Sequence, residues 1–388
     1  MAQIEVTLER EDAIVRSRLL KIRVHEKRLI TPVRSLCLSS GMNSESRVLR
    51  ANSKVRGVNE LPNSIDKAKL EDIDNDNGKQ EEFYRGIRYR FGGIDTSSEL
   101  TSFVFTYSNK GREERNREPT SHETEYLAGM LNHPLNDIWV PPIIPQLPGK
   151  SYVTYLKDFF EQVNTYQKIA YAGLIPHIAR LEIRQLADFY LRTAVNYFVM
   201  DFAGRHPLDL VGNINQVMRM VNQIEHEHGV TCFLHAANVP MTRAHWNTPV
   251  VPAKDILLFE LGFNCFGSSH IPRRLPAEVA QMLQARKAPP RLRLFSRKDY
   301  AYFTNDVKDL EQKLQETGTV AVDFNRLRST RDPKIASELG KCFNVERHGL
   351  EANEIRTKLI EKESVAEYIQ KKTHVPPAYV KKVLRVGK

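Results

Sequence analysis

Several short apolar runs in this chain end on groups able to move protons or attack an electrophile. YFVM is followed directly by Asp201, with Arg205 and His206 just beyond, and VTCFLH closes on His235. A third run, FNCF, carries Asn264 and leads into Ser268, Ser269 and His270. A carboxylate placed directly after an apolar run is partly desolvated, which tunes an acid for proton transfer or nucleophilic attack. Asp201 is therefore the leading catalytic candidate, with His235 and Asn264 beside it. Arg205, His206, Ser268 and Ser269 are the expected substrate-binding groups. Asp201 serves equally well as a loop cap, and a strand-end histidine serves equally well as a hydrogen-bonded structural residue. Asp201, His206 and His235 are also of the right types to ligate a metal. Their spacing does not call for one, and no metal or cofactor is expected. Cys37, Cys232, Cys265 and Cys342 form no CxxC or CxC pair, which argues against a cysteine zinc site.

These groups need a scaffold, and the middle of the chain has its rhythm. DIWVPPII (137–144), AYAGLI (170–175), YFVMD (197–201), VTCFLH (230–235) and FNCF (263–266) read as strands. Between them, 152–169, 180–194, 210–228 and 254–261 read as helices, the last two stopped by Gly229 and Gly262. Short strands alternating with helices imply βα units and a parallel sheet. An open doubly wound sheet and a closed barrel both fit. No GxGxxG follows a strand, which weakens a dinucleotide-binding version of the open sheet. The (β/α)8 TIM-type barrel, whose active groups stand at the C-terminal strand ends, is the expected architecture as the commoner of the two. The spans 4–8, 17–24 and 28–32 predict a small N-terminal sheet, and LTSFVFT (100–106) a further strand. The organisation expected is N-terminal strands over 1–43, a polar, mobile loop over 44–82, the barrel over 83–305 and a basic, mainly helical region over 306–388.

Charge adds a second theme. The net charge of +10 is the excess of 25 Lys+Arg over 15 Asp+Glu after position 270, whereas the first 270 residues carry 32 of each. Arg273, Arg274, Arg286, Lys287, Arg291 and Arg293 are the densest basic cluster, and Phe295, Tyr300, Tyr302 and Phe303 follow closely. Basic side chains neutralise phosphates while aromatic rings stack on unpaired bases, so nucleic acid is the expected partner. A solvated basic face with core aromatics is the alternative. Near the end, Ser364 and Glu367 form a capping-box signature, and Pro376 or Pro377 suits the first turn of another helix carrying Lys381 and Lys382. The pair reads as a helix-turn-helix or as an ordinary helical hairpin. No apolar run approaches the length that spans a bilayer, and MAQIEVTLERED has no apolar signal core, so a cytoplasmic protein without a membrane partner is expected.

The segment KDILLFELGFNCFGSS (254–269) resembles the tRNA-guanine transglycosylase family. In that family a helix of the type PEDILEAVALG leads into a strand GVDMFD, and the shared positions here are Asp255, Ile256, Leu257, Leu261, Gly262 and Phe266. The order of elements from 170 to 201 and the ITPV at 30–33 are similar to the family's as well. The resemblance implies a barrel that binds tRNA or another nucleic acid and exchanges a guanine-type base. It also marks departures. The family's nucleophilic aspartate falls on Gly267, its earlier aspartate on Asn264, its proton-handling TDSGGFQ puts Tyr107 among the substrate-contacting positions, and its zinc cluster is missing. A glycine forms no covalent glycosyl intermediate, so an exchange reaction needs a relocated carboxylate, with Asp201 the substitute. A barrel that only binds nucleic acid, or one that acts on a small metabolite, is the alternative. A homodimer is a further expectation.

If the basic cluster carries phosphate contacts, replacing Arg286, Lys287, Arg291 and Arg293 together with Gln lowers affinity for any polynucleotide about equally. The slope of log affinity against log salt flattens by roughly 3 to 4 units, because each lost contact releases one counterion fewer. Fluorescence titration of a labelled oligonucleotide at several salt concentrations reads both quantities.

Overall fold

Parallel strands with both faces covered read as nearly continuous apolar runs, and those runs place the two main sheets. This computed structural model describes residues 4–39, 41, 44–49, 53–108, 117–145, 147–166, 169–193, 195–241, 248–270, 291–314, 320–330 and 332–386. The chain begins with an antiparallel sheet of β1 (Glu5–Glu11), β2 (Arg18–Val24) and β3 (Lys27–Ile30), in that order. A five-stranded parallel sheet follows the order β4 (Val33–Arg34), β13 (Cys265–Ser268), β11 (Phe233–Val239), β10 (Tyr197–Asp201) and β9 (Gly173–Ile175). A four-stranded parallel sheet runs β5 (Leu36–Cys37), β6 (Asn59–Asp66), β7 (Thr101–Ser108) and β8 (Ile138–Trp139). Only Ser35 separates β4 from β5, and a parallel bridge pairs Trp139 with Tyr171, two residues before β9. The architecture is thus mixed α/β with parallel sheets, and the expected N-terminal sheet is present.

Helices connect the strands. The main ones are α2 (Lys67–Asn75), α3 (Asn77–Arg90), α4 (Ser121–Leu131), α5 (Gly149–Val163), α6 (Glu182–Tyr190) and α7 (Val211–His228). A capping box between Thr120 and Glu123 starts α4, and Gly229 at φ 63° ends α7, a left-handed position that suits glycine. The apolar faces of α5, α6 and α7 supply Phe159, Leu186 and Val217 to one continuous core with the strands.

Three elements differ from the sequence reading. Residues 44–82 are not a loop: they hold α1 (Glu45–Leu49), the buried start of β6, and α2. The polar composition there belongs to the solvent side of α2, while Leu70 and Ile73 face the core. Residues 292–305 do not continue the parallel sheets. There β14 (Leu292–Ser296) and β15 (Ala301–Asn305) pair antiparallel, and β12 (Val250–Pro252) joins β15. The helix expected over 254–261 is only a 3-10 turn at Ile256–Leu258, although Gly262 ends it at φ 101°.

The described residues after 306 are mainly helical. α8 (Val307–Leu314) and α9 (Phe324–Ser329) precede α10 (Pro333–Glu361), which spans 29 residues. The middle of α10 is buried all round, from Cys342 to Gly349, and it shares a second core with Leu36, Leu49 and Val55. Ser364 caps α11 (Val365–Gln370) by accepting from Glu367 N, and Pro377 opens α12 (Pro377–Val383). Among the described residues, no helix is long and apolar enough to cross a membrane.

Gly57 admits no side chain, since a Cβ there would lie 2.0 Å from the Arg34 carbonyl oxygen. Relief would require moving backbone at the start of β6 or at β4. Gly57→Ala is therefore expected to destabilise by about 1 to 3 kcal/mol, read as a lower urea midpoint with unchanged slope.

Candidate active site

Most groups of this site come from strands. Glu60 stands second in β6 and is fully buried, and its carboxylate reaches from one parallel sheet to the other. There Oε1 lies 2.6 Å from Nε2 of His235, third residue of β11, and Oε2 lies 2.5 Å from Nε2 of His270. Ser35 Oγ donates to Oε1 at 2.8 Å. His235 is itself fully buried, with Tyr197 OH 3.1 Å from its Nδ1, and His270 Nδ1 lies 3.6 Å from the Cys37 sulfur. Gly267 makes the room, because a Cβ there would fall 2.1 Å from Glu60 Oε1.

A buried carboxylate between two imidazoles keeps its charge only because they share it. Burial alone would raise Glu60, yet its hydrogen bonds and charge interactions with His235 and His270 hold it well below the usual carboxylate range. Burial works against charging His235, but Cys265 and Glu60 raise it to about 10. Burial opposes the charge on His270 as well, and Cys37 and Glu60 again outweigh it, so that histidine also lies well above its ordinary value. One carboxylate neutralises one imidazolium, so the second proton of this cluster is the easier to remove.

Asp201 occupies the last position of β10, beyond His235 in the direction of the strands, since Val199 pairs with His235 and Asp201 with Ala237. Burial raises its carboxyl, while Ala203 N and Asn238 Nδ2, both donating to Oδ1 at 2.9 Å, work the other way. Asn238 also accepts from His270 N at 3.0 Å, so it joins Asp201 to the Glu60 cluster. Ala203 and Asn238 hold left-handed φ values of 46° and 57°, a strained choice for alanine. Two backbone distortions thus converge on the two partners of one carboxylate.

The remaining expected groups scatter. Asn264 lies at the beginning of β13, where its Oδ1 accepts from Leu234 N; it pins the strand start and does not join the rim. Tyr107 points the other way and donates to Glu123 of α4 at 2.9 Å. Arg205 is exposed and His206 buried, both in the turn after Asp201. Ser268 bridges Arg34 NH2, at 2.7 Å, and Glu45 Oε1, at 3.2 Å, while Ser269 is half-buried beside it. In the C-terminal part, Arg291 is exposed, Arg293 Nε donates to Thr304 at 2.8 Å, Lys381 is exposed and Lys382 reaches the Leu208 carbonyl at 3.3 Å. Arg273, Arg274, Arg286 and Lys287 lie outside the described residues. A cavity of about 350 Å³ between α3 and α4, lined by Tyr84, Tyr126 and Tyr166 among others, contains none of the cluster residues.

Glu60, Ser35, Cys37, Tyr197 and Asn238 escaped the sequence reading. Glu60 had a faint signal, standing between Val58 and Leu61 in an apolar patch of a polar stretch. Among the described residues, no three His, Cys, Asp or Glu side chains make a set that could hold a metal ion.

The histidine shift carries a sign. His235 is raised from 6.5 to about 10 on folding, so its stabilisation is complete below pH 6.5 and is lost as pH climbs through 10. Urea midpoints are therefore expected to fall between pH 7 and 10. In His235→Gln that alkaline decline is reduced, although the variant starts roughly 3 to 5 kcal/mol less stable, because Glu60 loses a buried partner.

No protein-family model matches the chain, and no curated protein matches it either.

Proposed function

We propose that the two parallel sheets form one closed (β/α)8 barrel and that this barrel is a transglycosylase-like enzyme acting on a base of tRNA or another nucleic acid. Closure is supported by the stretch 33–37, which pairs with β13 on one side and β6 on the other, and by the bridge from Trp139 to Tyr171. Counting β4 and β5 as one strand gives eight, the number whose interior side chains just fill.

One observation carries the functional reading. Where the resembled family has its nucleophile, this chain has Gly267, and the vacated space holds the carboxylate of Glu60. The centre has kept an acid at that point and changed the strand that supplies it. Glu60 does not attack, because both its oxygens are engaged by histidines. Its part is to hold protons on His235 and His270. Asp201, tied to the same cluster through Asn238, is the carboxylate that attacks. Its oxygen bonds to the anomeric carbon of the sugar, the carbon–nitrogen bond to the base breaks, and His270 protonates the departing base. An incoming base gives its proton to His270 and displaces Asp201, which restores the starting state. A barrel that only bound nucleic acid would have no need of this cluster, since apolar residues of similar volume stabilise an interior at least as well.

Incubation with radiolabelled guanine and tRNA, single-stranded DNA or duplex DNA tests this. The intact protein is expected to incorporate label into a polynucleotide. Asp201→Asn should abolish incorporation, and His270→Gln should slow it by about 10² to 10⁴. Absence of incorporation into every polynucleotide, or full activity of Asp201→Asn, would overturn the proposal and leave a barrel acting on a small metabolite.

A further inference from the structure

The buried cluster is a chain of contacts with one end inside and one end near solvent. It runs from Tyr197 through His235, Glu60 and His270 to the sulfur of Cys37. Tyr197, His235 and Glu60 are fully buried, whereas Cys37 is partly exposed. His270 has Nε2 committed to Glu60, so its other nitrogen faces the thiol. A nucleophile beside a histidine that a carboxylate orients is the arrangement of base-assisted covalent chemistry. We infer that Cys37 is a reactive thiol, assisted by His270 and oriented through Glu60, that takes an electrophilic carbon bearing an anionic leaving group.

The step balances without any oxidant. In the form of the cluster that has lost its second proton, His270 is a neutral imidazole. The Cys37 proton then passes to its Nδ1, the sulfur–carbon bond forms and the bond to the leaving group breaks as the leaving group departs with its electron pair. His270 then loses the proton to the leaving group or to water. His270 accepts most readily once the second proton of the Glu60 cluster has gone. Burial raises the Cys37 thiol and His270 lowers it, so the reaction should quicken as pH rises. The other three cysteines are internal standards, because Cys232, Cys265 and Cys342 are all buried. Burial holds the thiols of Cys232 and Cys342 well above the ordinary cysteine range.

The inference shares His270 and Glu60 with the proposed glycosyl transfer but does not depend on it, since thiol reactivity is measured without a polynucleotide. The probe is iodoacetamide, applied to the native full chain at pH 7, 8 and 9, with each cysteine followed by peptide mass spectrometry. Cys37 is expected to be alkylated first, while Cys232, Cys265 and Cys342 stay protected. At pH 8, His270→Gln should slow Cys37 by about tenfold or more, because the thiol loses the neighbour that lowers it. Continued protection of the other three thiols shows that the variant is folded. If they become exposed, His270→Phe, which restores the bulk of a buried ring, takes its place. Native Cys37 reacting no faster than the three buried thiols would overturn the inference. So would an unchanged Cys37 rate in a folded His270 variant.

Discussion

The organisation of this protein turns on one unfavourable act, the complete burial of the Glu60 carboxylate. An ion of that size loses several kcal/mol of hydration in a protein interior, even after relaxation. It stays charged because His235 and His270 approach its two oxygens from one side of the structure and Ser35 donates from the neighbouring strand. Those partners come from β11, from beyond β13 and from between β4 and β5, so the charge is tolerable only when strands distant in sequence are in register. Gly267 and Gly57 serve the same end, one clearing space for the carboxylate and the other letting β6 approach the Arg34 carbonyl.

A second buried polar group stands behind the first. Arg34, 1% exposed, donates to the Phe266 carbonyl and to Ser268, and its guanidinium lies 4.4 Å above the Phe266 ring. Beyond that ring, Tyr302 donates to Asp255 at 2.5 Å and meets His348 of α10 at 2.9 Å. Burial pushes Asp255 up to about 7 and His348 well below its ordinary value, so this network favours neutral groups where the Glu60 cluster favours charged ones. Phe266 of β13 stands between them, its ring under the Arg34 guanidinium and 5.7 Å from the His348 ring. The long C-terminal helix is thereby part of the wall behind the site, which is why its middle is apolar or polar-and-paired on every side.

Local pattern carried much of the scaffold. The run YFVMD is β10 residue for residue, and Gly229 and Gly262 end their elements in left-handed conformations as expected. Ser364 and Pro377 begin the last two helices as their types suggested. Asp201 and His235 fell on adjacent, parallel strands because each closes an apolar run. The errors have a common cause. Residues 44–82 are polar on average, but α2 needs only Leu70 and Ile73 to face inward, and β6 is buried at its first three residues and at Ile65. Asn264 follows a glycine-ended turn and looked like a rim residue, whereas its backbone pairing with Leu234 sets it at the start of its strand.

What the sequence determined by itself was therefore the alternation of strands and helices from 137 to 239, the caps at Gly229, Ser364 and Pro377, the concentration of positive charge after position 270 and the candidacy of Asp201 and His235. These depend on neighbours a few residues apart, where side-chain spacing and backbone preference act directly. Tertiary structure alone decided that Glu60 meets both His235 and His270, although they lie 175 and 210 positions away from it. It also decided that Cys37 ends the chain of contacts and that the Glu60 carboxylate fills the space beside Gly267. A hydrogen bond acts over about 3 Å of space regardless of sequence distance, and no local pattern encodes which buried acid will meet which buried base.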